Sequence, residues 1–340
     1  GENMATSCRS LALLRTFLAK SKPATRCIHT ESKVTNSLVR EKRNALFESE
    51  KQRQLSLVSR IEKIEVQYKG QPEDCTLVMN KNLSTPFNCA MHIEEVVMSR
   101  SVLALVNGEP WDMHRPLKES CQLHFMHFED ENPTLANEAF WRSCSFMLGY
   151  VLETAFKEQH YVQLCSFPVP NVRSGSFVYD ADLGLEDWRP NSIELNTLSR
   201  TGFKLFFKEY RFERLEVDAS VAQNMFADNR FKTTQIPSIA GRSESGSTVT
   251  VYRMGDHVDI TGGPLISNTG QLGRFNVTAF HDIESSSYGP LTRVQGTALP
   301  VQLPMHYWSY ENIIAKRAQK LNTAPVPELK QAQPLQSSAS

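Results

Sequence analysis

The amino-acid sequence predicts an α+β fold built from two consecutive domains, the first small and rich in strands and the second larger. Three observations indicate this. The 340 residues are 40% hydrophobic and 22% charged, a globular composition in a length that suits about two domains. Segments with strand-like alternation and segments with helical periodicity are interspersed from residue 61 onward. Asn132-Pro133 then separates a strand-rich block from a long amphipathic stretch.

Charge and hydropathy exclude several classes of protein. No run comes near the roughly 18 consecutive apolar residues of a membrane-spanning helix, so we expect no membrane span. The 37 Lys and Arg residues balance 37 Asp and Glu residues, and a zero net charge argues against a chain that coats nucleic acid along its whole length. The seven cysteines, an odd number without a C-x-x-C pair, predict buried thiols rather than a disulfide framework or a zinc ribbon.

The first 30 residues have the composition of a mitochondrial transit peptide. Residues 4–30 contain no acid, and three leucines recur at helical spacing. The basic residues of this stretch are Arg9, Arg15, Lys20, Lys22 and Arg26. We therefore predict a basic amphipathic leader over residues 1–30 that is removed from the mature protein; the alternative is a solvated terminus. Removal up to Ile28 takes away five basic residues and one acid, which leaves a net charge of about minus four.

Residues 31–60 are predicted to form a charged helical arm. Residues 39–55 carry many charges of both signs around only two bulky apolar side chains, Leu46 and Phe47. A helix that is polar nearly all round has little core to pack against, so we expect it to be exposed and to lie on a partner such as RNA or to span between bodies. A solvated helix without a partner fits this pattern equally well.

Residues 61–130 are predicted to form a β-grasp domain, a compact sheet with one helix across it. A Gly70-Gln71-Pro72 turn separates two strand-like segments in the manner of a hairpin. A helix start at Ser84-Thr85-Pro86 follows, and two more alternating segments complete the order β-β-α-β-β. The predicted strands lie at 61–66, 77–79, 101–106 and 121–128.

Residues 131–308 are predicted to form the larger α+β domain, and 309–340 a C-terminal helix with a disordered tail. A long amphipathic helix covers 140–156, and beyond it strands and helices alternate. The chain beyond Asn322 is rich in Pro, Gln, Ser and Ala, which predicts disorder there. The other predicted elements are strands at 175–183, 249–252, 275–280 and 293–299, helices at 193–210, 217–226 and 309–321, and a loop at 236–247.

Several phrases resemble the threonyl-tRNA synthetase family. Residues 103–113, LALVNGEPWDM, are similar to part of its N-terminal TGS domain, a ubiquitin-like module. Four further phrases resemble its editing domain, in the same order, so the resemblance covers roughly residues 61–298 and includes no aminoacylation core. They are 141–149 (WRSCSFMLG), 175–180 (GSFVYD), 212–217 (FERLEV) and 252–264 (YRMGDHVDITGGP). The resemblance implies a TGS β-grasp domain followed by an editing-type α+β domain.

The catalytic positions of that editing domain are changed in this sequence. The family carries His-x-x-x-His on a helix and a Cys and His four apart in the closing phrase; here Arg142 and Phe146 occupy the first pair, and Thr261 and Leu265 the second. Arg is not a base in proteins, Phe and Leu do not ionise, and a lone Thr hydroxyl lacks a base to activate it. We therefore expect no catalytic residues, and a non-enzymatic chain.

The same four changes argue against a metal site. Editing-type sites that bind zinc use such His and Cys clusters, whereas a cation at position 142 would repel the ion and two apolar side chains leave too few ligands. The remaining histidines are scattered without ligand spacing, and no phosphate-binding glycine loop occurs. We predict no metal, no cofactor and no small-molecule substrate.

A second resemblance gives the functional expectation. Residues 54–57, 62–66, 78–82 and 141–144, together with the leader and the altered editing positions, resemble a family of ribosomal proteins of the mitochondrial large subunit. It implies a structural constituent of the mitochondrial ribosome in the matrix, whose partners are large-subunit ribosomal RNA and other mitochondrial ribosomal proteins. The alternatives are a trans-editing deacylase of mischarged tRNA and a soluble TGS-type RNA-binding regulator.

Contacts to RNA phosphates would need local basic residues, because the mature chain is slightly acidic overall. The predicted RNA-binding residues are Arg40, Lys42, Arg43, Lys51 and Arg53 in the charged arm, with Lys316, Arg317 and Lys320 near the C terminus as second candidates. The arm contains enough Glu that pairing with another protein is an equal alternative.

Overall fold

The structure is a computed structural model that describes residues 34–185 and 188–327. The predicted leader and the last 13 residues of the predicted tail lie outside the described residues. The helices are α1 (Asn36–Ser56), α2 (Pro86–Ile93), α3 (Glu95–Arg100), α4 (Thr134–Ala155), α5 (Ser192–Phe203), α6 (Ala219–Met225), α7 (Arg230–Ala240) and α8 (Tyr307–Ser309), which continues as a π-helix over Tyr310–Ala315. The strands are β1 (Lys63–Tyr68), β2 (Cys75–Asn80), β3 (Leu103–Val106), β4 (Glu109–Trp111), β5 (Cys121–Met126), β6 (Gln163–Ser166), β7 (Phe177–Asp182), β8 (Glu213–Asp218), β9 (Thr248–Met254), β10 (His257–Ile260), β11 (Leu272–Ser285) and β12 (Gly289–Pro300).

The first sheet has five strands in the order β2-β1-β5-β3-β4. The central strand β5 runs parallel to its neighbour β1, and the other pairs are antiparallel. In β1 every second residue is buried, with Ile64, Val66 and Tyr68 facing the core. Thr85 caps α2 through a reciprocal bond with Asn88, as the helix-start signal predicts. The predicted strands and helix are thus present, although the helix breaks into α2 and α3, and β4 was not predicted.

The second region contains two sheets around a buried helix. One has the strand order β11-β12-β7-β6 and the other β10-β9-β8. Helix α4 packs against β7, β12, α5 and α1, and more than half of its residues are buried. Together with the first sheet this gives a mixed α+β fold, as predicted.

Helix α1 differs from its prediction as an exposed arm. It packs against α4, α6, β8 and β10. Phe47 is 0% exposed within a cluster that includes Leu215 and Phe226, and Val39 is also buried. The prediction was wrong because a few apolar residues on one face, supported by ion pairs to the body, suffice to bury a helix whose composition is mostly charged.

Three other element predictions were wrong in part, and β6 was missed. The predicted helix at 217–226 is β8 followed by α6, and the helix predicted over 193–210 ends at Phe203. Residues up to Ala240 in the predicted loop belong to α7, which tolerates Pro237, and β10 was not predicted. In short elements that are stabilised mainly by tertiary packing, the hydrophobic periodicity of the sequence is too weak to fix the type or the ends of the element.

The prediction of disorder beyond Asn322 was wrong for its first residues. Nη1 of Arg293 donates to the carbonyl oxygens of Asn322, at 2.7 Å, and of Ala324. Val326 packs against the small cluster that contains Cys165, Phe231 and Leu291. The start of the tail is therefore attached to the second region, at β12 and the cluster around Phe231.

The described part of the chain contains free thiols and helices of limited length and hydropathy. The five described cysteines are free, and four of them are buried, with Cys75 half-buried. Among the described residues, no helix has the length and apolar character needed to cross a bilayer.

Candidate functional site

The four altered editing positions lie together where α4 meets the segment after β10. Nη1 of Arg142 on α4 donates to the carbonyl oxygen of Pro264 at 2.9 Å, which fixes the helix against that segment. Phe146, one turn further along, and Leu265 are both fully buried in the same hydrophobic cluster. Thr261 is also buried. The fold therefore brings these positions together, as the resemblance implies.

Phe146 fills the space between α4 and the sheets. Its ring makes edge-to-face contacts with Phe212, Tyr252 and His257, at centroid distances of 5.9, 6.5 and 4.9 Å. Such contacts are typical of a packed core, where an aromatic ring excludes water from the position. A water molecule positioned for hydrolysis would need the space that this ring occupies.

His257 is a buried imidazole next to this position that sequence reasoning did not single out. Nδ1 of His257 lies 2.7 Å from Oε2 of Glu153, and Nη1 of Arg43 donates to Oε1 of Glu153 at 2.8 Å. Burial opposes ionisation of Glu153, but the charges of Arg43 and His257 outweigh it and lower the pKa of Glu153 to about 2. Nε2 of His257 has no hydrogen-bond partner among the described residues, and the ring is 0% exposed. No sequence signal marked it, because β10, whose four residues are all buried, was not predicted.

A second buried polar group lies at Asp259, two residues further along β10. Nζ of Lys232 lies 2.7 Å from Oδ1 of Asp259 and 3.2 Å from the hydroxyl of Tyr179, and that hydroxyl donates to Asp259. Burial and the neighbouring Asp259 raise the pKa of Tyr179 well above its ordinary value, so it stays a neutral donor. All three side chains are buried and paired, which is the arrangement of a structural network rather than of a reactive group.

Asp112 connects the first sheet to the second region. Its carboxylate accepts the hydroxyl of Tyr252 at 2.9 and 3.0 Å and the backbone N–H of Leu265 at 2.9 Å. Burial raises the pKa of Asp112, against the opposing effect of these donors and of Arg214. Asp112, which belongs to the phrase LALVNGEPWDM next to the N-terminal sheet, therefore fixes the backbone at Leu265, one of the altered editing positions.

The predicted RNA-binding residues of α1 are engaged within the chain. Arg43 is fully buried against Glu153, so its prediction as a phosphate contact was wrong, because a buried guanidinium cannot reach a ligand in solvent. The other four have acidic partners, and their predicted phosphate contacts stay predictions. The pairs are Arg40 with Asp256 at 3.3 Å, Lys42 with Asp228 at 2.8 Å, Lys51 with Glu213 at 2.6 Å and Arg53 with Glu50 at 2.7 Å.

The second set of predicted RNA-binding residues remains accessible. Lys316, Arg317 and Lys320 are exposed at the C-terminal helix, and none has an acidic partner in the described ranges. No group of three or more His, Cys, Asp and Glu residues within 34–185 and 188–327 could hold a metal ion. The arrangement offers neither an accessible base nor a ligand set, and its polar groups serve to hold α1, α4 and β10 together.

Comparison with known proteins places the editing-like region in a family. Residues 249–295, which cover β9 to β12, match the family described as the threonyl and alanyl tRNA synthetase second additional domain. The mitochondrial threonine-tRNA ligase of Rattus norvegicus is 34% identical over 66% of this chain, and the cytoplasmic threonine-tRNA ligase 2 of Bos taurus is 32% identical over 66%. The chain spans 30% and 29% of the lengths of those ligases. The relation to this synthetase family that the motifs indicate is confirmed.

A longer match extends over most of the chain. The large ribosomal subunit protein mL39 of Drosophila melanogaster is 46% identical over 288 residues, which are 84% of this chain and 86% of that protein. Identity of this level across nearly the full length of both proteins indicates a common fold and ancestry. The chain therefore belongs to the family of the large ribosomal subunit protein mL39.

Proposed function

We propose that this chain is a structural, non-catalytic constituent of the mitochondrial large ribosomal subunit, where it binds ribosomal RNA and neighbouring ribosomal proteins. The observation that carries the proposal is its 46% identity to the large ribosomal subunit protein mL39 over 86% of that protein. The location in the mitochondrial matrix rests on the same relative and on the composition of residues 1–30.

The state of the editing-like region supports a role without catalysis. Phe146 and Leu265 are fully buried, and the nearest imidazole, that of His257, is held by Glu153 out of contact with solvent. Hydrolysis of an ester would need an accessible base or a bound metal to activate water. A protein that retains the editing-type fold while apolar side chains fill the position of the pocket is suited to a structural role, in which its surfaces bind partners.

The domain organisation is part of the proposal. We assign a transit peptide to residues 1–30, a helical arm to 31–60, a TGS β-grasp domain to 61–130, an editing-like domain to 131–308 and a C-terminal helix and tail to 309–340. The parallel pairing of β1 with β5 supports the β-grasp assignment. The position of α2 in the chain, after β2 and before β3, supports it as well. The buried face of α1 means that the arm packs on the editing-like domain rather than extending from it.

Sedimentation of a mitochondrial lysate on a sucrose gradient, probed for this chain, tests the proposal. We expect the chain in the fractions that contain large-subunit RNA, and we expect it to stay there when low magnesium separates the two subunits. A chain found in fractions free of ribosomes would contradict the proposal and favour a soluble RNA-binding regulator.

A further inference from the structure

A large groove lies between the N-terminal sheet and the editing-like domain. It encloses about 910 Å3. The end of α1 and residues 57–62 form one wall, residues 81–88 and 114–118 form the second, and residues 211–216 form the third. The altered editing positions do not line it, so it is distinct from the filled pocket beside Phe146. Its walls come from separate parts of the chain, and sequence reasoning could not have placed them together.

The charge of this groove is strongly positive. Eight Lys or Arg side chains line it against three Glu side chains. Because the mature chain is predicted to be slightly acidic overall, this excess is a local concentration of cations rather than a reflection of composition. A concave surface lined by one sign of charge focuses the field and attracts a polyanion.

Three of the cations form no ion pair in the described part of the chain, although Lys118 is near enough to Glu216 to contribute to the lowered pKa of that carboxyl. Arg60, Lys118 and Arg211 are exposed and form no ion pair there, whereas Lys51, Lys81 and Arg53 are paired with Glu. The guanidinium of Arg211 lies over the ring of Phe87 at 5.2 Å from its centroid, which orients it without neutralising it.

Two further arginines line the groove, and their charges are offset by Glu216 and by Asp112, whose Oδ2 lies 3.9 Å from Nε of Arg214. Arg115 and Arg214 share the carboxylate of Glu216, at 3.7 and 2.6 Å. The guanidinium of Arg115 also stacks on Trp111 at 3.6 Å from the ring centroid, and its Nε has no hydrogen-bond partner among the described residues. Because that Nε is buried, it is not a donor for a ligand in the groove, and the stacking on Trp111 serves to hold the guanidinium in place.

We propose that this groove binds the sugar-phosphate backbone of RNA, with Arg60, Lys118 and Arg211 contacting phosphates. The inference rests on the proposed function, which it deepens by naming the surface that meets RNA. Phosphate contacts of this kind position a protein on RNA without reading its sequence. The ring of the half-buried Phe87 lies beneath the guanidinium of Arg211 and holds that cation at the wall of the groove.

Binding of the full chain to a fluorescent RNA hairpin, measured by anisotropy at several salt concentrations, tests the inference. The groove variant carries Arg60→Gln, Lys118→Gln and Arg211→Gln. We expect its affinity to fall at least about tenfold, and the slope of log K against log salt to become shallower by about 2, since three phosphate contacts are lost. All three side chains are exposed, so thermal unfolding of the variant should match that of the original protein.

The matched control removes three cations elsewhere. Arg200→Gln, Lys204→Gln and Lys208→Gln change the net charge equally at exposed residues that do not line the groove, and we expect less than about a twofold change in affinity. Equal losses in both variants, or unchanged binding by the groove variant, would overturn the inference. So would displacement of the RNA by an acidic peptide that binds more tightly, which would mark a protein site.

Gradient sedimentation separates this inference from the proposed function. If the groove variant binds RNA normally while the unaltered chain sediments with the large subunit, the groove assignment fails and the structural role stands. If the unaltered chain sediments apart from the large subunit, the structural role fails whatever the groove binds.

Discussion

Nη1 of Arg43 lies 2.8 Å from Oε1 of Glu153, although the two residues are 110 positions apart and neither side chain is more than 3% exposed. This pair joins α1 to the C-terminal end of α4. Since Oε2 of the same carboxylate meets His257 on β10, one buried charge links three elements. Helix α1, mostly charged in composition, is thereby part of the core rather than an appendage.

Removal of Arg43 should destabilise the protein strongly. Arg43→Met leaves the Glu153 carboxylate buried without its guanidinium, which we expect to cost about 3–5 kcal/mol of unfolding free energy. Lys42→Met, at the neighbouring position, breaks only the exposed pair with Asp228 and should cost less than about 1 kcal/mol. Urea unfolding measures both variants. If both variants lost the same unfolding free energy, the buried pair would contribute no more to stability than the exposed pair.

The double variant Arg43→Met and Glu153→Met refines this prediction. It removes both charges and replaces them with apolar groups, so we expect it to recover part of the loss caused by Arg43→Met alone. A double variant less stable than the single one would contradict the explanation by an unpaired buried charge.

Stability should fall in acid because of Glu153. Its pKa is lowered to about 2 in the folded protein from an ordinary value of 4.5, so its contribution is full above pH 4.5 and is lost as pH falls toward 2. Glu153→Gln removes this titration, and we expect its unfolding free energy to depend less steeply on pH between about 3 and 5. Glu129→Gln, at an exposed position that forms no ion pair within residues 34–185 and 188–327, is the control. If the pH dependence of the unfolding free energy were the same in Glu153→Gln as in the original protein, the acid sensitivity would come from other residues.

Phe146 should behave as a core residue. Phe146→Ala removes a ring packed against three others and should cost about 3–5 kcal/mol in chemical denaturation. Phe207→Ala, where the side chain is 71% exposed, should cost less than about 1 kcal/mol. A small cost at position 146 would mean that the pocket is open to solvent, and would reopen the deacylase alternative.

The purified protein should not hydrolyse seryl-tRNA above the buffer rate. None of Arg142, Phe146, Thr261 and Leu265 can act as a base toward a water molecule. Release of labelled serine measures the rate, with the editing domain of a threonine-tRNA ligase as the positive control. Hydrolysis that disappears in His257→Asn would overturn the prediction, and would identify the buried imidazole as a replacement base.

Much of the first sheet could be predicted from local pattern. Alternation placed β1, β2 and β5, and Thr85 with Pro86 marked the start of α2. The three-residue β4 and the switch from β8 to α6 at Asp218 could not be, because segments so short carry too few residues for periodicity to show. Among site residues, the altered editing positions were found because a motif surrounds them.

The amino-acid sequence by itself determined the element pattern, the relation to threonyl-tRNA synthetases and the loss of the four catalytic side chains, since these depend on residue identity and spacing along the chain. Only the tertiary structure decided which charges are available to a partner. Arg43 and Lys118 are both basic residues in polar stretches of the sequence. In the structure, however, Arg43 is buried against Glu153, whereas Lys118 faces an open basic groove. Burial and pairing depend on residues more than a hundred positions away, and local pattern contains no information about them.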